Sequence, residues 1–64
     1  MIMEKAQIFG ERIKFIIWAK KNEFDTTTDE RTTDHSDMPA FIADDTYMAW
    51  AGWLARAECF YNQE

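Results

Sequence analysis

Apolar residues recur at three- and four-residue spacing through the first third of the chain. Ile2, Ala6, Phe9, Ile13, Ile16 and Ile17 fall on one side of a helix predicted over about residues 3–22. Lys20 and Lys21 close it in its last turn, where cations suit the negative end of the helix dipole. Gly10 interrupts it at a cost of roughly 1 kcal/mol against alanine, and leaves room for another helix to approach. At roughly 100° per residue, Ile8, Phe15 and Trp18 lie on the opposite side. A helix that is apolar on two sides is normally buried on two sides. The face with Phe9, Ile13 and Ile16 is therefore assigned to the core. The face with Ile8, Phe15 and Trp18 is assigned to contact with a second chain.

Asp25 to Asp37 reads DTTTDERTTDHSD and holds no large apolar residue. Such a stretch cannot repay its chain entropy by burial, so it reads as a long mobile loop, with Asp25, Asp29, Glu30, Asp34 and Asp37 as its acidic groups. A short turn is expected over about residues 37–42. Ser36 or Asp37 would cap it, Pro39 would lie in its first turn, and Phe41 and Ile42 would pin it to the core.

A second helix is predicted over about residues 45–61, capped by Asp44 or Asp45. Tyr47, Trp50, Leu54, Ala57 and Tyr61 form its apolar stripe, widened by Trp53 and Phe60. The core set is thus Phe9, Ile13, Ile16, Trp50, Trp53, Leu54 and Tyr61. The other side holds small residues, Ala49, Gly52, Ala55 and Cys59, with Met48 and Arg56. Either these are simply good helix formers, or Ala49 and Gly52 admit a neighbouring backbone. Two helices joined by a loop make an all-α αα-hairpin, and two such hairpins make a four-helix bundle. The expected state is a homodimer in contact through Phe15 and Trp18, because closed two-fold symmetry covers a spare face economically.

Size sharpens that expectation. A 64-residue chain buries only about 60% of the surface its unfolded form exposes. Below roughly 70–80 residues a core usually needs a staple. Cys59 is the sole cysteine and His35 the sole histidine, so neither an intrachain disulfide nor a Cys/His zinc site is available. A partner is the staple that remains. The lone cysteine fits a reducing compartment, and neither a membrane span nor a secretory signal is visible, so the expected location is intracellular, in the cytoplasm.

The net charge of −5 is unevenly spread. Glu4 and Glu11 against Lys5, Arg12, Lys14, Lys20 and Lys21 give residues 1–22 a net +3. Eight carboxylates against Arg31 alone give residues 23–45 a net −7. Specific nucleic-acid binders usually present a basic face, and the acidic segment here competes for the basic one, so direct binding is not expected. Carboxylates along a surface can instead imitate DNA phosphates, which leaves an acidic DNA-mimic inhibitor as an alternative.

Catalytic parts are missing. Asp34, His35 and Asp37 lack the fixed set of convergent ligands a metal needs. Cys59 and His35 lack an orienting group and an oxyanion donor. Gly10 and Gly52 sit in separate helices, so there is no glycine-rich phosphate loop. The expectation is a chain that is not an enzyme and takes no cofactor.

One stretch is distinctive. Ala49-Trp50-Ala51-Gly52-Trp53-Leu54-Ala55-Arg56-Ala57 forms a W-x-x-W-x-A-R-A close, and an aromatic-rich first helix precedes it. The combination resembles small accessory proteins of tailed phages and prophages of enteric bacteria. The likeness touches both ends of the chain and skips the acidic middle. It implies a phage setting and no particular activity. Residue by residue, Trp50 and Trp53 share a helix face, and Arg56 is placed to pair with an acidic loop residue or to cap carbonyls. The leading expectation is a phage-type binder that modulates or inhibits a host protein, such as a defence or replication factor. The alternative of another class is a structural, self-assembling helical module.

Overall fold

The computed structural model describes residues 3–34 and 36–61. His35, Ile2 and the last three residues lie outside it, so the expectations placed on His35 and Ile2 concern residues outside the described set. Helix α1 (Lys5–Lys21) is followed by strands β1 (Thr28–Thr33) and β2 (Pro39–Phe41) and by helix α2 (Asp44–Tyr61). The two helices pack together with a small antiparallel hairpin between them. No described helix is long and apolar enough to cross a membrane.

Local chemistry accounts for the ends of α1. At its start the Gln7 side chain accepts the Glu4 backbone N–H at 2.9 Å. At its end the Phe24 N–H reaches back to the Ala19 carbonyl (2.8 Å) and the Glu23 N–H to that of Lys20 (3.2 Å). This is a Schellman closure, with Glu23 at φ 63° in the position that usually holds glycine. Phe24 then folds onto Trp18, ring centroids 5.3 Å apart, and sets the chain's exit from the helix. Asp44 and Asp45 occupy the first turn of α2, where anions suit the positive end of the dipole.

The expected mobile loop is in part a strand. β1 is rich in β-branched threonine, and it pairs with β2, which is anchored by the buried Ala40 and Phe41. The register runs Thr28 to Phe41 and Asp29 to Ala40, then jumps to Thr33 opposite Pro39. The three residues between bulge outward, steadied by the Asp29 carboxylate, which accepts the Arg31 N–H (3.0 Å) and the Thr32 hydroxyl (3.4 Å). Pro39 is thus the first residue of a short strand and not part of a helical turn. Proline is tolerated there because it donates nothing to the ladder. Phe41 enters the core as expected, whereas Ile42 is exposed.

The larger correction concerns the two faces of α1. The buried residues of this helix are Arg12, Phe15 and Ala19, with Ile8 half-buried against the core. Phe15 is fully enclosed. Its ring lies 5.3 Å from that of Trp50, 5.5 Å from those of Phe41 and Trp53, and 6.0 Å from that of Trp18. Phe9 and Ile13, expected in the core, are 56% and 47% exposed, and Ile17 is 57% exposed. Ile16 is half-buried at the margin. The faces are exchanged, so Phe15 cannot be a dimer contact. On α2 the expected stripe holds: Trp50, Leu54 and Ala57 are buried, and Tyr47, Trp53 and Tyr61 pack partly against them.

A polar cluster explains the exchange. Asp34, with no accessible side-chain surface, sits where the hairpin turns. Its Oδ1 accepts the Ser36 N–H (2.8 Å), the Ser36 hydroxyl and the Met38 N–H (3.2 Å). Its Oδ2 accepts the Trp50 indole N–H (2.8 Å) and an Arg12 guanidinium N–H (3.3 Å). Arg12 also donates to the Pro39 carbonyl and lies over the Phe41 ring, 4.4 Å from its centroid. One carboxylate thereby ties α1, the hairpin and α2 together. A charge on the Phe15 face of α1 looks like a reason to expose that face. With Asp34 opposite, it is a reason to bury it. Burial pushes the Asp34 pKa up, but the hydrogen bonds from Ser36, Met38 and Trp50 outweigh it and hold the carboxyl below its ordinary value.

Candidate functional site

The concave feature of interest lies beside the core, between the Trp18 edge of α1 and one side of α2. Helical spacing builds it. Ala49, Gly52, Trp53, Arg56 and Phe60 share one side of α2, each three or four residues from another of the set, and Glu11 and Trp18 face them from α1. Tyr61 closes the far end, and the groove has a volume of about 550 Å³.

Its floor is polar but already satisfied. Glu11 accepts the Trp53 indole N–H (3.1 Å) and the Tyr61 hydroxyl (3.2 Å) through separate oxygens, and Lys14 lies 3.4 Å from it. Burial raises the Glu11 pKa, and the bonds from Trp53, Lys14 and Tyr61 more than reverse this, so the carboxyl titrates below its usual value. Trp53 and Tyr61 are thereby fixed in orientation. The wall rises through Trp18, whose ring lies 5.7 Å from that of Trp53. Phe60 stands 69% exposed at the rim. Gly52 leaves the wall low, since a Cβ there would meet nothing within 4 Å. Arg56 is exposed on the same wall and has no ion-pair partner among the described residues, so the expected pairing with an acidic loop residue does not form.

The arrangement can hold an apolar or aromatic side chain against rigid rings, with a cation at the edge. Among the described residues its lining includes no serine, cysteine or histidine. Among the described residues no three His, Cys, Asp or Glu side chains gather as a metal site requires.

Of the five residues expected at an interface, Trp18, Ala49 and Gly52 line this groove, while Ile8 and Phe15 belong to the core. Glu11, Arg56 and Phe60 were not singled out as site residues. The readable signal was the spacing of Glu11 from Lys14 and Trp18 on one helix edge. The five acidic residues have different surroundings. Asp34 is buried, Asp29 steadies the bulge, and Asp37 lies 3.4 Å from Lys5. Asp25 accepts the Thr27 N–H (3.0 Å), and hydrogen bonding from Thr27 holds its carboxyl below the ordinary value. Glu30 alone of the five carboxylates is exposed with no bond to another described side chain or turn. Comparisons with protein-family models, curated proteins and solved structures return no match.

Proposed function

We propose that this chain is a small protein-binding module of phage type that modulates or inhibits a bacterial host protein, a defence or replication factor, and holds it in the aromatic groove beside α2. The observation that carries the reading is the groove itself: a preformed wall of Trp18, Trp53 and Phe60 with Arg56 at its edge, left open in a chain with few residues to spare. Tryptophan, tyrosine and arginine dominate binding hot spots, because each brings large contact area with a polar handle at modest entropic cost. The two rings bonded to Glu11 are already ordered, so a partner does not have to order them. The DNA-mimic alternative needs its carboxylates on the surface, and one of the five, Asp34, is buried.

The test is affinity capture from bacterial lysate with the whole chain and with Phe60→Ala and Arg56→Glu, both at exposed positions. The reading expects a partner that the unaltered chain enriches and both variants lose. Equal recovery by all three proteins, or no enrichment over a control resin, would overturn it.

A further inference from the structure

Phe9, Ile13 and Ile17 of α1 and Met48 and Ala55 of α2 lie outside the groove, with Gly52 at the boundary, and the outward sides of the two helices differ in charge. The exposed residues of α1 include Lys5, Lys14, Lys20 and Lys21 and no carboxylate. Between the lysines runs the uncharged strip of Phe9, Ile13 and Ile17. The exposed residues of α2 begin with Asp44 and Asp45 and continue through the bulky Met48, the small Gly52 and Ala55, and Arg56. One helix offers bulky aliphatic and aromatic side chains with a cationic rim. The other offers an anionic start, an exposed methionine and low relief at Gly52 and Ala55.

We infer that the outward face of α1 in one copy seats against the outward face of α2 in a second copy, with the helices antiparallel. Laid so, Lys20 and Lys21 come beside Asp44 and Asp45 of the second copy. The strip then falls into step: Ile17 opposite Met48, Ile13 opposite Gly52, and Phe9 beside Ala55. From Phe9 to Ile17 is about 12 Å along a helix, and from Met48 to Ala55 about 10 Å, so the spacings match: Ile13 and Phe9 meet the small Gly52 and Ala55, and Ile17 packs on the Met48 side chain. Gly10 and Gly52 both have open space where a side chain would stand, so the backbones can approach closely. The antiparallel sense also sets the dipoles head to tail. A pairing of α1 with α1 would oppose four lysines to four lysines. A parallel pairing of α2 with α2 would oppose the aspartates.

The contact joins two different surfaces. It is therefore heterologous, and each copy keeps one unused half until the assembly closes. This property gives a sharp test. Ile13→Glu disables the α1 face and leaves α2 intact. Ala55→Lys disables the α2 face, lies outside the groove and leaves α1 intact. Ile17→Glu and Met48→Lys serve as second choices on the same faces. All four positions are exposed, so circular dichroism should show unchanged helicity. Sedimentation equilibrium at tens of micromolar in reducing buffer should find the unaltered chain heavier than a monomer and each variant alone monomeric. An equimolar mixture of Ile13→Glu and Ala55→Lys should recover a pair, because each supplies the half the other lacks. A monomeric unaltered chain would overturn the inference. So would variants that still self-associate, or a mixture that stays monomeric. Partner capture by the groove is read separately through Phe60 and Arg56, so either result can fail without the other.

Discussion

The two sides of α1 both carry large apolar residues and meet opposite fates. One holds Ile8, Phe15 and Ala19 around a charged Arg12 and is buried. The other holds Phe9, Ile13 and Ile17 with no charge among them and is exposed. Hydrophobic content alone would choose the second. The structure has the first because two things act there together. Phe15 joins a cluster of rings from α2 and β2, where each well-placed aromatic pair adds about 0.5–1.5 kcal/mol beyond area burial. Arg12 meets a carboxylate that accepts five hydrogen bonds, so its burial leaves no charge unmatched.

The strongest way to break this difference is to remove the carboxylate. Asp34→Ala strands Arg12 and the Trp50 indole N–H in the interior, and breaking a buried pair on one side typically costs about 3–5 kcal/mol. That is most of what a chain this size possesses. Thermal unfolding followed by circular dichroism should show the variant unfolded or nearly so. A melting curve close to that of the unaltered chain would mean that Asp34 does not hold the Phe15 face inward.

Acid should act on the same group more gradually. The carboxyls of Asp34, Glu11 and Asp25 all titrate below their ordinary values in the folded chain. Below the unfolded values of about 3.9 for Asp and 4.3 for Glu, the unfolded chain binds protons that the folded chain refuses. Stability from these groups is therefore fully present above about pH 4.5 and is lost as pH falls through the folded values. Urea unfolding between neutral pH and pH 3 should show the midpoint falling only in the acid part of the range. A midpoint that rises on acidification would reverse the sign and contradict the bonding around Asp34.

Smaller substitutions sharpen the picture at its edges. Glu23 adopts a left-handed conformation that costs an ordinary residue about 1–2 kcal/mol, and glycine escapes most of that strain. Glu23→Gly should raise the melting temperature by a few degrees through about 1 kcal/mol of relief, partly offset by glycine's greater chain entropy. A lower melting temperature would show that the Glu23 side chain itself stabilises the end of α1. Thr46 is fully buried, and its hydroxyl finds no partner among the described residues. Thr46→Val keeps the shape and removes the unpaired group, so stability should be unchanged or higher. A clear loss in the same unfolding assay would reveal a partner for that hydroxyl.

Much of the helical frame was legible from spacing alone. The two helices, the lysines at the end of α1 and the Trp50–Leu54–Ala57 stripe all follow from periodicity, which reports which residues share a face. Periodicity does not report which of two apolar faces is chosen. That choice depends on Asp34, which lies 22 residues from Arg12 and inside a stretch whose composition reads as solvent-exposed. The hairpin was missed for a related reason. β1 has almost no side chain to bury, and its order comes from backbone pairing to a strand that Phe41 anchors. Of the groove, Trp18, Ala49 and Gly52 were readable as residues left over from the stripes, whereas the role of Glu11 needs both helices in place.

The most direct test of the account uses one substitution at two positions of the same helix. Phe9→Ala and Phe15→Ala remove the same atoms six residues apart. If the Phe15 face is the core, Phe15→Ala should cost about 3–5 kcal/mol and abolish cooperative melting. Phe9→Ala, at an exposed position, should stay within about 0.5 kcal/mol of the unaltered chain when measured dilute enough to be monomeric. Equal losses at the two positions, or a larger loss at Phe9, would contradict the assignment of the faces.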